Sequence, residues 1–175
     1  MTNQAIPQSC KEKTTLADGN ATAQACVNII LSCKSHNVPV ALENPRDSLL
    51  FLHPAVQAAA KGLPQLSPLE GCCLEAPPVN VDVSFDMCAF GAPWRKPTRL
   101  WFWNLSEADV TSLSSMKCRS HRSLTKGAPA ICGFSQRPHQ QLTGAAKSSF
   151  RTKVAEAYPI PFAEHLARIL LRVQR

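Results

Sequence analysis

The chain has 175 residues, a formal net charge of +7 and a pI near 9.2. This length is enough for one domain with a real core, but too short for two well-developed domains. The positive charge favours a polyanionic partner, because Lys and Arg side chains that neutralise phosphates release condensed counterions. The amino terminus lacks the apolar run of a secretory signal, and no stretch of about 18 apolar residues could span a bilayer. We therefore expect a soluble, intracellular protein without membrane contacts, which would be nuclear if the organism is eukaryotic. In that compartment the eight cysteines are expected to be reduced.

The first third of the chain predicts an α/β unit. Residues 1–17 are polar and lack periodicity, which predicts a loose arm. From Asn20, a good N-cap, apolar side chains recur on one helical face, which predicts an amphipathic helix that stops near Asn37. The apolar run 38–42 then predicts a short strand that leads into Glu43-Asn44-Pro45. A helix that feeds a buried strand is the unit of a parallel, doubly wound α/β sheet, in which functional groups gather at the carboxyl ends of the strands.

The middle of the chain predicts a second helical stretch over residues 48–61, within which Pro54 opens a new turn. Residues 63–78 are rich in Pro and predict a loop. Apolar and polar residues alternate over 79–86, the period of a half-buried strand, and residues 100–103 predict its partner across a basic turn.

The last third changes in composition. Residues 116–149 are rich in Ser, Arg, Lys, His and Cys and predict an irregular basic insert, and helical spacing returns over 161–175. The predicted organisation is therefore an arm (1–17), a core (18–115), the Cys/His-rich insert (116–149), and a closing segment with a helix (150–175).

The insert contains a candidate metal site. Its pattern Cys-x2-His-x10-Cys-x6-His is formed by Cys118, His121, Cys132 and His139. Four such ligands with one close pair could hold zinc in tetrahedral geometry, and the neighbouring cations could contact phosphates. The alternative is that both Cys are buried and both His lie on the surface. Three other cysteines, Cys26, Cys33 and Cys88, are expected to be small core residues, since free Cys is commonly buried.

Three segments then occur in one order: Val40-Ala41-Leu42-Glu43-Asn44-Pro45, Phe90-Gly91-Ala92-Pro93-Trp94-Arg95-Lys96-Pro97-Thr98-Arg99, and Val154-Ala155-Glu156-Ala157-Tyr158-Pro159-Ile160-Pro161-Phe162-Ala163-Glu164. Together they resemble the second half of the catalytic domain of DNA (cytosine-5) methyltransferases. The family's matching features are a Glu-Asn strand end, a Tyr-Gly-Val-Pro-Gln-x-Arg-x-Arg segment and a Gly-Asn-Ala-Val-Pro-x-Pro-Leu-Ala helix start. The resemblance covers about residues 18–175 and implies part of a doubly wound, Rossmann-like methyltransferase sheet. It also implies DNA as the partner and S-adenosylmethionine as the cofactor that methylates cytosine C5.

The resemblance also implies roles for individual residues. Glu43, followed by Asn44, is the acid at N3 of a cytosine that has left the base stack, and Arg99 or Arg95 is the cation at the base oxygen. The cofactor-side wall is formed by Ala155, Glu156, Ala157 and Tyr158. The chain departs from the family where Trp94 replaces Gln and where Ala155-Glu156 replaces Gly-Asn.

The family's nucleophile, a Cys in a Pro-Cys dipeptide after a glycine-rich loop, has no counterpart in this sequence. Cys10 lacks the preceding strand and the following apolar loop, so we do not expect it to take that role. We expect the chain to begin downstream of the nucleophile, to be inactive alone and to associate with the missing amino-terminal half or another chain. Two other hypotheses are a zinc-organised nucleic-acid-binding module without catalysis, and a degenerate relic.

Overall fold

The computed structural model describes residues 10–62, 65–66, 73–74, 81–120, 130–140, 142, 145–146, 149–150 and 157–172, with side chains for 16–62, 81–120, 130–140, 142 and 157–171. The strands are β1 (Val40–Pro45), β2 (Gln65–Leu66), β3 (Cys73–Leu74), β4 (Val81–Asp86), β5 (Pro97–Trp103), β6 (Ala145–Ala146) and β7 (Ser149–Phe150). The α-helices are α1 (Cys10–Ser35), α2 (Pro54–Ala60), α3 (Glu107–Ser114) and α4 (Ile160–Arg172). Two short 3-10 helices span Leu49–Leu52 and Met87–Phe90.

The main sheet has three strands in the order β1-β5-β4, and both pairings are antiparallel. Glu43 of β1 lies opposite Leu100 of β5, and Val83 of β4 lies opposite Leu100 on its other side. Because β1 and β4 each run antiparallel to β5, they run in the same direction as each other.

Helices cover both faces of this sheet. On one face, Phe85 and Leu100 pack with side chains from α3 and α4, including Phe162 of α4. On the other face, Trp101 and Trp103 pack with α1, α2 and the first 3-10 helix. Successive residues of β5 therefore point alternately into two apolar clusters, as the pleat of a strand requires. The result is a three-layer arrangement with the sheet in the middle.

Most of the predicted elements are confirmed. The helix that stops at Asn37, the break at Pro54, the alternating strand 79–86 with its partner, and the closing helix all have counterparts. Asn37 has φ 54°, the left-handed conformation that commonly ends a helix.

The amino-terminal part of α1 differs from the prediction. The helix begins at Cys10, so residues 10–17 are helical rather than part of a loose arm. Its described side chains up to Thr22 are exposed. A helical turn that buries no face shows no regular spacing of apolar residues. The apolar spacing therefore predicted a helix start at Asn20, ten residues too late.

The fold is a mixed α/β fold, as the sequence predicted. The strand pairings that the structure describes are all antiparallel, so the parallel, doubly wound sheet is not confirmed. Among the described helices, none combines the length and apolar character needed to cross a membrane.

Candidate functional site

Three cysteines and one histidine meet beside the sheet. The potential ligand atoms of Cys88, Cys118, Cys132 and His139 all lie within 4.8 Å of one another. The three Cys are buried and form a small cluster of their own, and His139 is half-buried. This group could hold a metal ion.

The distances from Sγ of Cys118 to two of the other ligand atoms suit tetrahedral coordination. With Zn–S bonds of about 2.3 Å and a Zn–N bond of about 2.0 Å, two sulfur atoms would lie about 3.8 Å apart and a sulfur and a nitrogen about 3.5 Å apart. Sγ of Cys118 lies 3.9 Å from Sγ of Cys132 and 3.7 Å from Nε2 of His139. Thiolate and imidazole ligands in this number and arrangement are typical of structural zinc.

The ligands come from three parts of the chain. Cys88 lies in the 3-10 helix that follows β4, and Cys118 lies in the extended segment after α3. Cys132 and His139 lie on a small hairpin closed by a bridge between Ile131 and Pro138. Gln136, with φ 54°, forms part of the turn of this hairpin. A metal ion here would join the end of the sheet to the insert.

Backbone groups around the cluster hold Cys118 in place. The N–H of Gly133 donates a hydrogen bond to Sγ of Cys118 at 3.4 Å, the kind of outer contact that orients a metal-bound thiolate. A Cβ at position 133 would lie 2.8 Å from the carbonyl oxygen of Arg119, so the close approach requires Gly. The backbone N–H of Cys118 donates to Oδ2 of Asp86 at 2.7 Å. The buried carboxylate of Asp86 thereby ties the end of β4 to the metal-ligand segment.

The thiols of Cys88 and Cys132 have pKa values shifted in opposite directions. Burial raises the pKa of Cys88 well above its ordinary value. Burial also acts to raise the pKa of Cys132, but hydrogen bonds from Ser135 and Phe134 outweigh it and lower that pKa to about 6. The lowered pKa favours the thiolate form of Cys132, the form that binds metals, whereas the raised pKa of Cys88 means that this thiol must lose a proton on binding.

The sequence pattern identified three of these four residues. Cys118, Cys132 and His139 were predicted ligands, while His121 lies outside the described residues. Cys88 was expected to be a core residue; it is buried, yet its thiol faces the other three ligands. The signal that could have identified it is its position directly after β4, where the chain leaves the sheet.

A second polar site lies at the carboxyl end of β1. The hydroxyl of Tyr158 donates a hydrogen bond to Oε2 of Glu43, across 115 residues of sequence. The other oxygen, Oε1 of Glu43, is buried and has no hydrogen-bond partner within the described part of the chain. A buried acceptor without a partner costs about 1–3 kcal/mol, which a ligand that donates a hydrogen bond would recover.

Lys96 and Phe162 complete the surroundings of Tyr158. Nζ of Lys96 lies 5.2 Å from the centre of the Tyr158 ring, and the Phe162 ring lies 5.5 Å from it. Burial, followed by the hydrogen bond to Glu43, raises the pKa of Tyr158, so the phenol remains a proton donor at neutral pH. Lys96 has φ 30°, a conformation that non-glycine residues rarely adopt and that is often found near functional sites.

The two predicted arginines lie away from Glu43. Nε of Arg95 donates to Oδ1 of Asp86 at 3.0 Å. Arg99 lies opposite Asn44 in the sheet and pairs with Asp82, with an Nε–Oδ1 distance of 2.9 Å. Its guanidinium also lies over the Phe51 and Trp101 rings, on the sheet face that packs against α1 and α2. Among the described residues, the structure places Lys96 over the Tyr158 ring, a cation that the sequence prediction did not choose.

The predicted cofactor-side residues are only partly described. Ala155 and Glu156 lie outside the described residues, whereas Ala157 and Tyr158 are exposed just before α4. The backbone of Cys10 begins α1, and its side chain is outside the described set.

No family model, curated protein or solved structure matches this chain.

Proposed function

We propose that the chain is the second half of a DNA (cytosine-5) methyltransferase-like catalytic domain, in which Glu43 contacts the target base. One observation carries this proposal. Glu43, Lys96 and Tyr158 each come from one of the three segments that resemble the family, and they meet at one place. An acid, a cation and a phenol that meet in this way can contact the polar edge of one ligand together.

The chemistry of this place suits an extrahelical cytosine. N3 and the exocyclic amine of cytosine offer one acceptor and one donor side by side. A protonated Glu43 would donate to N3, and its second oxygen would accept from the amine. Oε1, which lacks a partner within the described residues, supplies one of these positions. Lys96 would face the base oxygen in the role that the sequence assigned to Arg99 or Arg95.

The sheet is compatible with this proposal. β1 and β4 run in the same direction with the reversed β5 between them, and helices cover both faces. Doubly wound sheets often carry a reversed strand near an edge. We propose that the three strands are such an edge, and that another segment or chain supplies the remaining strands and the nucleophile, since this sequence contains no Pro-Cys dipeptide. S-adenosylmethionine would supply the methyl group, next to the exposed Ala157 and Tyr158.

The test is base-selective binding, because it needs no nucleophile. Duplexes that carry either cytosine or thymine opposite an abasic site are compared by fluorescence anisotropy. Each well-formed pair of hydrogen bonds to a base edge contributes about 1–3 kcal/mol of discrimination, roughly 5- to 150-fold in Kd. We expect the wild type to prefer cytosine by such a factor and Glu43→Ala, which removes both the donor and the acceptor, to lose that preference.

Glu107→Ala is the matched control, because Glu107 is exposed on α3 and the same carboxylate is removed. It should retain the preference for cytosine. Equal binding of cytosine and thymine by the wild type would refute the proposal.

The Cys/His cluster favours a second candidate, a nucleic-acid-binding module organised by zinc without catalysis. Cationic side chains flank the cluster in the sequence, namely Lys117, Arg119 and Arg137, and all three are exposed. If this candidate is correct, removing the metal with a chelator abolishes DNA binding while Glu43→Gln leaves binding unchanged.

A further inference from the structure

A polar cleft lies between the end of β4 and the segment that carries Cys118. Its volume is about 320 Å³, and its polar lining consists of Arg46, Ser84, Asp86, Arg95 and Lys117. It lies at the lower end of the size range of small-molecule sites, so it suits a compact group rather than a whole nucleotide.

The charge of the lining favours an anion. Three cations, Arg46, Arg95 and Lys117, face a single carboxylate, that of Asp86. Arg46 also pairs with its exposed neighbour Asp47 at 3.1 Å, a solvent-screened contact that contributes little to holding the side chain. Guanidinium groups bind phosphate oxygens in a two-point geometry, and an ammonium group adds a compact charge.

Asp86 holds the side chain of Arg95 and the backbone on either side of Lys117. Its side chain, which is almost fully buried, accepts from Arg95 at 3.0 Å and from the backbone N–H of Cys118 at 2.7 Å. Its own backbone N–H donates to the carbonyl of Met116 at 2.9 Å. Lys117 therefore lies between two residues that are both tied to Asp86. Because Asp86 holds the Arg95 side chain in advance, this cation loses less side-chain entropy when the cleft binds a ligand.

The backbone of Arg46 is held by β5 rather than by Asp86. Its backbone N–H donates to the carbonyl of Pro97 at 3.0 Å, at the start of β5. It follows Glu43-Asn44-Pro45 directly in the sequence, so the cleft and the Glu43 site share the carboxyl end of β1.

We infer that this cleft binds a phosphodiester group of a nucleic-acid strand, with Arg46 and Lys117 as its direct contacts. The inference rests on the proposed function for the identity of the strand as DNA. The phosphate would position the strand, whereas Glu43 would distinguish its bases.

The salt dependence of DNA binding tests the inference. Each phosphate contact contributes about 0.9 to the slope of log Kd against log salt concentration. The double variant Arg46→Gln/Lys117→Gln should reduce that slope by about 0.9, so it should lose roughly 3.5-fold less affinity than the wild type between 50 and 200 mM salt; each single variant, which keeps one of the two cations, should reduce the slope by less. Both side chains are exposed, so these variants should fold, which circular dichroism will check.

Lys61→Gln is the matched control, because Lys61 is an exposed cation at the end of α2 that does not line the cleft. It should keep the wild-type slope. A wild-type slope in the double variant would overturn the inference, as would an equal slope change in Lys61→Gln. Inorganic phosphate, added at constant ionic strength, should compete only weakly; strong competition would instead identify a site for free phosphate.

Glu43→Ala separates this inference from the proposed function. It should leave the salt slope unchanged and remove only the preference for cytosine. A reduced slope in the cleft variants, combined with no base preference in the wild type, would support the cleft and refute the methyltransferase-like proposal.

Discussion

Replacing Cys88 tests the metal centre most directly, since this ligand comes from the structure and not from the sequence pattern. We expect Cys88→Ser to abolish tight zinc binding, because only three of the four ligands would remain. The thiol is buried and lies within 4.8 Å of the other three ligand atoms. A serine hydroxyl at this position does not replace a thiolate as a zinc ligand.

The magnitude follows from ligand linkage. Free zinc at 100 times its Kd stabilises a folded protein by about 2.7 kcal/mol. For a chain of this length, 1 kcal/mol shifts Tm by about 2–4 °C, so zinc should raise the Tm of the wild type by about 8 °C. The assay is thermal unfolding with zinc and with chelator, and the informative quantity is the difference between those two Tm values. Each protein thereby serves as its own reference, and any effect of Ser on packing cancels.

Two control variants make the result specific. Cys33→Ser replaces a partly buried cysteine of α1 outside the cluster and should keep the zinc-dependent shift. His121→Ala should also keep it, because the four ligands that the structure brings together are already sufficient. A full shift in Cys88→Ser, or loss of the shift in His121→Ala, would refute the assignment and restore the ligand set that the sequence pattern predicted.

Three further results are expected from the shifted pKa values. Zinc affinity should rise with pH, by about tenfold per pH unit for each proton released on binding. The proton comes from Cys88, whose pKa is raised by burial, whereas the pKa of Cys132 is lowered to about 6. A competition titration at two pH values measures the affinity, and an affinity that does not change with pH would contradict this prediction. Burial lowers the pKa of Lys34 from 10.5 to about 8, so the unfolded state binds more protons than the folded state between these values. The wild type should therefore gain stability relative to Lys34→Met as the pH rises from 8 to 10.5. Urea unfolding of both proteins at pH 7 and pH 10 measures this. If the assignment is wrong, the difference in unfolding free energy between the two proteins will be the same at both pH values. The chain has a single tyrosine, so absorbance at 295 nm follows the ionisation of Tyr158 alone. Glu43→Gln should lower the pKa of Tyr158, because the Glu43 carboxylate helps to raise it. An unchanged titration curve would show that the two side chains are not hydrogen-bonded in solution.

Local patterns predicted the elements better than their arrangement. The alternation in β4 and the stop at Asn37 are properties of a few neighbouring residues, and both were predicted correctly. The pairing of β1 with β5 joins Glu43 to Leu100, and nothing in either strand specifies its neighbour or direction. That choice depends on packing the alternate residues of β5 against helices on both faces, a property of the assembled core.

The candidate metal site likewise combines ligands that a local sequence pattern predicts with a ligand that only the folded chain brings to them. Cys132 and His139 are seven positions apart on one hairpin, and spacing of that kind is visible in a sequence. Cys88 precedes Cys118 by 30 positions and joins it only because β4 ends beside the segment that follows α3. A buried Cys after a strand has the same sequence signature whether it packs in the core or binds a metal.

The metal centre and the Glu43 site are connected through the core. Cys88 shares its 3-10 helix with Phe90, whose ring lies 5.3 Å from that of Phe162 in α4. Phe162 in turn lies 5.5 Å from Tyr158, the partner of Glu43. A metal ion that fixes the 3-10 helix would therefore also fix the surface on which α4 packs, and with it the hydroxyl that orients Glu43. On this basis we expect a metal ion bound at the Cys/His cluster to have a structural effect on the Glu43 site, whereas the proposed base selectivity would come from Glu43 itself.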